Sequence, residues 1–325
     1  MSFNRPSSVL LLSLLLVGTF SQAQGTSTPR PTAQKHTPSA PSNIQELKQT
    51  YVLVGAGDIS SCDDLQGSRA TAKLIEQIPG TVFAAGDLAY QKGSSNDFNH
   101  CYDPSWGQFK DRTRPTPGNH EYITPGAAAY FAYWGERAGP AGKGYYSYDL
   151  GAWHIVVLNT NCDQKGVGGC GTGSVQEGWL KQDLASHPNA CILAYGHHAL
   201  FSSGIFAKHA LHPELRQIWR DLYAVHADLI LAGHEHSYER FAPQNPDGVL
   251  DDARGIREIV AGTGGKDHGP LGLAKPNSEV RDWTTFGVLK LTLGPGNYTW
   301  EFIPVEGESF RDSGSGTCHN FPPKN

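Results

Sequence analysis

The chain lacks, beyond its N-terminus, any apolar run of about 20 residues, the length that a transmembrane helix needs. It also lacks a long basic run, and its formal net charge is -5 over 325 residues. Proteins that bind nucleic acid usually cluster Lys and Arg, so this composition argues against a nucleic-acid partner. The absence of a Cys-x2-Cys spacing argues against a thiolate metal site.

The N-terminus has the layout of a secretory signal peptide. Arg5 precedes an apolar run over residues 9–20, and the small residues Ser21 and Ala23 flank Gln22. This predicts a signal peptide over residues 1–23, and a secreted or periplasmic protein with no membrane segment after cleavage. The alternative is a membrane anchor, but the apolar run is shorter than the roughly 18 residues that a span needs. Residues 24–48, rich in Thr, Ser, Pro and Gln, predict a disordered linker.

Cysteine usage fits an exported protein. An even number of cysteines in a secreted chain predicts disulfides, although the sequence leaves several pairings open. Cys162 and Cys170 enclose a glycine-rich loop, so we expect this pair first. The cysteines are Cys62, Cys101, Cys162, Cys170, Cys191 and Cys318.

From residue 51 onward, short apolar runs end in glycine-containing turns with polar residues, as in "YVLVGAGDIS", "TVFAAGDLAY" and "DLILAGHEHSY". Such runs predict buried strands. Helical patterns lie between several of them, over residues 65–78, 174–184 and 213–225. This alternation predicts an α/β fold in one catalytic domain over residues 49–322. After Gly262, runs such as "FGVLKLTL" predict antiparallel edge strands.

Polar residues that follow the strands should meet in space, because ligands of α/β folds bind beyond the carboxyl ends of the strands. Taken singly each is a weak signal, since Gly-Asp is a common turn and His197 could be a core histidine. His234 and His236 would face the same side of an extended segment. Together, two Asp, one Asn and three His supply ligands for two octahedral metal ions about 3.5–4 Å apart.

These turns resemble the ordered sequence blocks of the purple acid phosphatases, in the calcineurin-like metallophosphoesterase superfamily. The resemblance implies a four-layer α/β/β/α sandwich of two mixed sheets. The residues that carry it are Asp58 in "GDIS", Asp87 and Tyr90 in "GDLAY", Asn119 and His120 in "GNHE", His197 in "AYGH", and His234 and His236 in "GHEHSYER".

The resemblance also implies the role of each residue. Asp58, Tyr90 and His236 would hold iron(III), and Asp87 would bridge the two ions. Asn119, His197 and His234 would hold a divalent ion, which is iron, zinc or manganese. Most members of the superfamily carry a ligand histidine where this chain has Ser60, and Tyr90 would replace it. The alternative is that Tyr90 is an ordinary core residue.

Other residues near these blocks are candidates for the cleft. The resemblance makes His120 the general acid. His198 and His209 are candidates for substrate binding, although His198 neighbours a ligand and is expected to face away. Glu121 and Glu239 are expected to orient ligands by hydrogen bonds. Asn159 to Asn161 could line the cleft, and the "GTGG" loop at residues 262–265 is a weak candidate for phosphate contact.

The expected function is hydrolysis of phosphate monoesters at acidic pH, by attack of a metal-bound hydroxide on a small phosphorylated substrate. A phosphodiesterase or nucleotidase on the same scaffold is the first alternative. A non-hydrolytic metal-binding protein or a redox iron protein is the second.

Overall fold

Two large mixed sheets form the centre of the molecule. The computed structural model describes residues 48–188, 190–205 and 213–320. In spatial order, the first sheet contains β15 (Asp312–Thr317), β14 (Asn297–Pro304), β13 (Gly287–Gly294), β1 (Tyr51–Ala56), β3 (Thr81–Ala85) and β5 (Thr113–Thr116). The second contains β12 (Ser278–Asp282), β10 (Tyr238–Phe241), β11 (Arg257–Ala261), β9 (Leu229–Ala232), β8 (Cys191–Tyr195), β7 (Trp153–Val157) and β6 (Tyr146–Leu150). The short strands β2 (Ser60–Ser61) and β4 (Ala89–Tyr90) pair in parallel.

The helices confirm the sequence patterns to within a few residues. Ser174 accepts a hydrogen bond from the backbone N–H of Glu177 (3.2 Å) and caps the helix that was predicted over residues 174–184. The α-helices of the described ranges are α1 (Gln66–Glu76), α2 (Ser95–Asp97), α3 (Asn119–Tyr122), α4 (Ala128–Trp134), α5 (Val175–Ala185) and α6 (Leu215–Ala224). A π-helical turn covers Phe98–Tyr102, and 3-10 turns cover Trp106–Arg112, Pro125–Ala127 and Gly135–Ala138. No helix in these ranges is long and apolar enough to cross a membrane.

The buried strands carry apolar residues on both faces, because the central part of each large sheet is covered on both sides. Leu53 of β1 packs in a cluster with Leu193 and Leu231 of the opposite sheet. Its neighbour Val54 points the other way, into a cluster with Ile75 of α1. On the outer face of the second sheet, a third cluster joins strands β7, β8 and β9 to α5 and α6. The predicted α/β/β/α sandwich is therefore confirmed.

The C-terminal strands are antiparallel, as predicted, but the prediction that they are edge strands is wrong for two of them. Strand β13 pairs with β1 and β14, and β14 pairs with β15. Only β15 lies at the edge among these three. The alternating pattern that suggested an edge arises because β14 alternates buried and exposed side chains, with one face on the core.

Three disulfides form in the described residues, and they include the pair that the sequence suggested first. Cys162 and Cys170 are bonded, with a Cα–Cα distance of 5.2 Å. Cys62 pairs with Cys101 and Cys191 pairs with Cys318. The last pair joins the first residue of β8 to the C-terminal segment.

Two predicted segments and one candidate residue fall on parts of the chain that are not described. The predicted signal peptide and the predicted linker up to residue 47 lie outside the described residues. His209 also lies outside them.

Candidate metal centre and its cleft

The turns that follow β1, β3, β5, β8 and β9 meet at one edge of the sandwich. In each sheet these strands run parallel to a neighbour, so their carboxyl ends lie together. The sequence-predicted residues of these turns are Asp58, Asp87, Tyr90, Asn119, His120, His197, His234 and His236. The structure brings all of them together, as the strand-end argument predicts.

Four of these residues have left-handed backbone conformations. The φ angles are 60° at Asp58, 51° at Asp87, 73° at His234 and 49° at His236. Residues other than glycine adopt this region at a cost of about 1 kcal/mol or more, and such residues cluster at functional sites. The prediction that His234 and His236 lie in an extended segment is therefore wrong. The chain bends at both residues.

Glycines next to these turns leave room for the carboxylates. A Cβ on Gly118 would lie 2.1 Å from Oδ1 of Asp87, and one on Gly262 would lie 2.7 Å from Oδ2 of Asp58. Gly264 of the "GTGG" loop donates its backbone N–H to the carbonyl of Gly57 (2.9 Å). These contacts give the loop a packing role against the Asp58 turn.

Tyr90 lies at the centre of the first cluster of polar atoms. Its hydroxyl oxygen is 2.8 Å from Oδ1 of Asp58 and 3.0 Å from Oδ2 of Asp87. The same oxygen is 3.0 Å from Nε2 of His236. The side chain is buried, so the hydroxyl points inward to the carboxylates and not to solvent.

His197 lies at the centre of the second cluster. Its Nε2 atom is 3.1 Å from Oδ1 of Asn119, 3.1 Å from Nδ1 of His234 and 3.2 Å from Oδ2 of Asp87. This oxygen of Asp87 is the one that also contacts Tyr90. Asp87 is therefore shared between the two clusters.

The buried carboxylates of the two clusters raise the pKa values of two histidines beside them. Burial by itself lowers the pKa of His197, but the charge of Asp87 outweighs burial and raises this pKa to about 9. Burial likewise opposes protonation of His236, yet Asp58 and Asp267 raise its pKa to about 10. In each cluster the carboxylates thus favour the protonated, positively charged form of a neighbouring histidine.

In two other groups of these clusters, His234 and Tyr90, the shifts of the pKa favour the neutral form. Burial, followed by the charge of His197, lowers the pKa of His234 to about 4. Burial, followed by Asp58 and Asp87, raises the pKa of Tyr90 well above its ordinary value. A bound cation would displace protons from such a site, which is the usual coupling between metal binding and deprotonation of the ligands.

The donor set fits metal ions. Ligand atoms of Asp58, Asp87 and His197 lie within 4.8 Å of one another, as do those of His197, His198 and His234. Carboxylate, amide and phenol oxygens are hard donors, and imidazole suits iron, zinc and manganese. A closed structural zinc site uses four ligands and leaves no further donors beside it, whereas this site has seven.

His120 lies at the rim of the clusters. Its Nδ1 atom is 2.6 Å from the carbonyl oxygen of Gln91, and its Nε2 atom is 3.9 Å from Oδ2 of Asp87. Its backbone N–H donates to Oδ1 of Asp87 (2.8 Å). Its ring centroid lies 4.3 Å from that of Tyr90. About a quarter of its side chain is exposed to solvent, at 26%.

His198 does not face away, contrary to the sequence-based expectation. It lines the cleft above the two clusters, and its ring centroid is 4.6 Å from that of His234. Its Nδ1 atom is 2.9 Å from the hydroxyl oxygen of Thr160. The chain bends at residues 197 and 198, and this turns two consecutive histidines to the same region, which a strand would not do.

The two glutamates differ in their contacts. Glu121 is buried and accepts hydrogen bonds from the backbone N–H groups of residues 87, 88, 89 and 118. It therefore holds the turn that carries Asp87. Glu239 accepts from Ser203 and Ser278, so it secures a neighbouring loop and contacts none of the candidate ligands through these bonds.

The cleft has a volume of about 650 Å³ and includes residues that sequence reasoning missed. Asn161 lines it, as the sequence suggested, whereas Asn159 is buried and bonds Tyr122 (2.7 Å). The missed residues are Gln91, Tyr122, Asp163, Gln164, Lys266 and Asp267. The signal that could have identified the last two is their position directly after the "GTGG" loop.

Comparisons with known proteins show the family of this chain. The sequence matches the calcineurin-like phosphoesterase family over residues 44–238. It is 30% identical over 204 residues to purple acid phosphatase 23 of Arabidopsis thaliana, covering 51% of this chain and 43% of that protein. It is 26% identical over 307 residues to probable inactive purple acid phosphatase 24 of the same plant, covering 78% and 47%. The chain spans less than half the length of these two relatives.

A solved structure has the same fold. Purple acid phosphatase PPD1 from seeds of yellow lupin (Lupinus luteus) superposes with a TM-score of 0.64 at 21% identity, over 86% of this chain and 57% of that chain. The family match covers well over half of the chain and contains all seven candidate metal ligands. The protein belongs to the calcineurin-like phosphoesterase family, and its relatives include purple acid phosphatases.

Proposed function

We propose that the protein hydrolyses phosphate monoesters with two metal ions, one of them iron(III). Asp58, Tyr90 and His236 would hold iron(III), and Asp87 would be shared with a second, divalent ion of iron, zinc or manganese. Asn119, His197 and His234 would complete the second site. Two such ions supply positive charge that stabilises phosphoryl transfer, and they make an attacking water more acidic.

One observation carries this proposal, and it is the position of the Tyr90 hydroxyl. It lies within 3.0 Å of Asp58, Asp87 and His236 in a buried pocket. A phenol has one proton and can donate it to only one of the two carboxylates, so a neutral tyrosine leaves its oxygen against the second one, whereas a bound cation would satisfy both. A phenolate is a hard anionic donor, and it favours iron(III) over a divalent ion.

His120 is the proton donor in this proposal. Its Nδ1–H would donate to the carbonyl oxygen of Gln91, which leaves Nε2 directed towards the cleft. A proton on Nε2 would pass to the leaving oxygen of the substrate. General-acid catalysis needs a protonated donor, so we expect the activity to favour acid.

The substrate is a small phosphorylated molecule in this proposal, and the compartment is the periplasm or the medium. The cleft carries both Asp163 and Asp267, which disfavour a polyanion. Three disulfides fit an oxidising compartment. Recovery of the protein from the cytoplasm alone would contradict export.

The test compares the wild type with Tyr90→Phe and with Tyr122→Phe, a matched control from the same cleft. The wild type is expected to contain iron, to absorb in the visible range when oxidised, and to release phosphate from an aryl phosphate monoester. Tyr90→Phe should abolish the visible band and bind iron(III) less tightly, because a hard anionic donor is lost. Tyr122→Phe should retain the band.

Each alternative gives a distinct result. Iron in a colourless oxidised protein, with a spectrum unchanged by Tyr90→Phe, would refute the iron–phenolate assignment. Faster cleavage of the matched diester than of the monoester would favour a phosphodiesterase. Bound metal without release of phosphate from either substrate would favour a non-hydrolytic protein. The name of one Arabidopsis relative, probable inactive purple acid phosphatase 24, implies such a loss of activity for that relative.

A further inference from the structure

Asp267 lies beside the first cluster of polar atoms, held there by its own loop. The backbone N–H of Lys266 donates to the carbonyl of Asp58 (3.1 Å), and Gly264 is bonded to Gly57 (2.9 Å). These bonds fix the loop to the turn that follows β1. The carboxylate of Asp267 then faces His236 and accepts a hydrogen bond from its Nδ1 atom.

This contact sets the orientation of the His236 ring. With Nδ1–H donated to Asp267, the lone pair of Nε2 faces the Tyr90 hydroxyl (3.0 Å) and Oδ1 of Asp58 (3.2 Å). Histidines that bind metals usually donate their other ring N–H to a carboxylate or carbonyl, which fixes the tautomer. Asp267 occupies this position for His236.

The two clusters differ in the charge of this acceptor. In the second cluster, Nδ1 of His197 lies 2.9 Å from the backbone carbonyl of Ala85, which is neutral. In the first cluster the acceptor is a carboxylate. A carboxylate acceptor makes an imidazole a stronger donor than a carbonyl does, so the cluster with the phenol also has the more electron-rich histidine.

Lys266 secures the acceptor. Its Nζ atom is 3.1 Å from Oδ2 of Asp267 and 5.4 Å from the centroid of the Tyr90 ring. The side chain of Asp267 is 54% exposed, so without a partner it would be free to rotate towards solvent. The ion pair leaves Oδ1 for His236.

We propose that Asp267, held by Lys266, is a positioning residue that orients His236 and supplies negative charge to the trivalent ion through the imidazole. This inference rests on the proposed function and deepens it. It assigns to one exposed carboxylate a share, beside the Tyr90 phenolate, in the preference of the first cluster for iron in its iron(III) state.

The experiment separates orientation from charge. Asp267→Asn keeps an oxygen that accepts from Nδ1–H but removes the negative charge. Asp267→Ala removes both. Asp163→Asn is the matched control, because it makes the same change of charge in the same cleft on a carboxylate that bonds Gln164 (3.4 Å). Iron content, the visible absorption maximum and the reduction potential of the iron are measured for each variant.

Asp267→Asn should retain iron, shift the visible band to longer wavelength and raise the reduction potential. Loss of negative charge makes iron(III) easier to reduce, and this lowers the energy of charge transfer from the phenolate. Asp267→Ala should bind iron about 10–100-fold less tightly, the usual effect of removing such an acceptor. Asp163→Asn should leave the band and the potential unchanged.

The outcomes distinguish the two levels of the proposal. A coloured wild type whose Asp267→Asn variant has the same band and potential as Asp163→Asn would overturn the role of Asp267 alone. An iron-free, colourless wild type would overturn the proposed iron site and this role with it. Because Asp267 is half-exposed and Asn has the same shape, the variant is expected to fold.

Discussion

Replacing Glu121 with Gln tests whether a buried carboxylate holds the turn that carries Asp87. Oε2 of Glu121 accepts from the backbone N–H groups of Asp87 (2.9 Å) and Gly118 (2.7 Å). Oε1 accepts from those of Leu88 (2.9 Å) and Ala89 (3.2 Å). Four buried donors in two segments of the chain thus depend on one side chain.

The size of the effect follows from counting acceptors. In Glu121→Gln an amide NH2 replaces one oxygen, so two buried backbone N–H groups face a donor in place of an acceptor. Each unsatisfied group costs about 1–3 kcal/mol, and the free energy of unfolding should fall by about 2–6 kcal/mol. Because the φ of 51° at Asp87 loses its support, the variant should also bind less metal.

Glu239→Gln is the matched control, since Glu239 is equally buried. Oε2 accepts from the backbone N–H of Ser203 (2.7 Å), and Oε1 accepts from the hydroxyls of Ser203 (2.6 Å) and Ser278 (2.5 Å). Hydroxyls can rotate to accept from an amide, so one amide oxygen and one NH2 satisfy this site. The loss of stability should be smaller.

The assay is denaturant unfolding of the metal-free proteins with disulfides intact, followed by metal analysis of the native proteins. Metal-free samples separate the hydrogen-bond effect from stabilisation by bound ions. Equal unfolding free energies for the Glu121 and Glu239 variants would refute the acceptor count. Full metal content in Glu121→Gln would refute the link to Asp87.

Two further predictions concern histidines. His120→Ala should retain both metal ions. Its turnover of substrates with poor leaving groups should fall by about 10²–10⁴-fold, with a smaller loss for activated aryl phosphates. Equal losses for the two kinds of substrate, or loss of metal, would contradict the general-acid role. His154 is buried, which by itself lowers its pKa, but Asp149 and Asp183 at 2.8 Å outweigh burial and raise it from 6.5 to about 9. The charged form of His154 should therefore stabilise the fold by about 3 kcal/mol below pH 6.5, and this contribution should be lost as the pH rises through about 9. In denaturant unfolding, Asp149→Asn should lose less stability than the wild type between pH 6 and pH 10. An equal loss would count against the His154–Asp149 ion pair.

Local patterns in the sequence predict most of the fold. A short apolar run before a glycine turn is a buried strand wherever both faces of the sheet are covered, and β1, β3, β8 and β9 all follow this rule. The pairing of Cys162 with Cys170 could also be predicted from the sequence, because only a short glycine-rich loop separates the two cysteines. The pairing of Cys191 with Cys318 has no local signal, at a separation of 127 residues.

The contacts around the candidate ligands show the limit of such patterns. Asp267 follows the "GTGG" loop as one more charged residue in a polar segment, and its partner His236 is 31 residues away. Glu121 bonds the turn after β3 across 32 to 34 residues. The position of each residue beside a conspicuous turn marks it as a candidate, but the sequence does not indicate these distant partners, because they depend on which turns the sheets bring together.

The sequence by itself determined the strands, the order of the polar turns and the residue types that meet at the sheet edge, because each depends on a few neighbouring residues. The tertiary structure decided the left-handed bends at His234 and His236, the inward direction of His198 and the central place of β13 and β14. These depend on packing between segments that are distant in the chain. Backbone strain at a turn is tolerated only when distant groups such as Glu121 stabilise it, and a local pattern does not contain those groups.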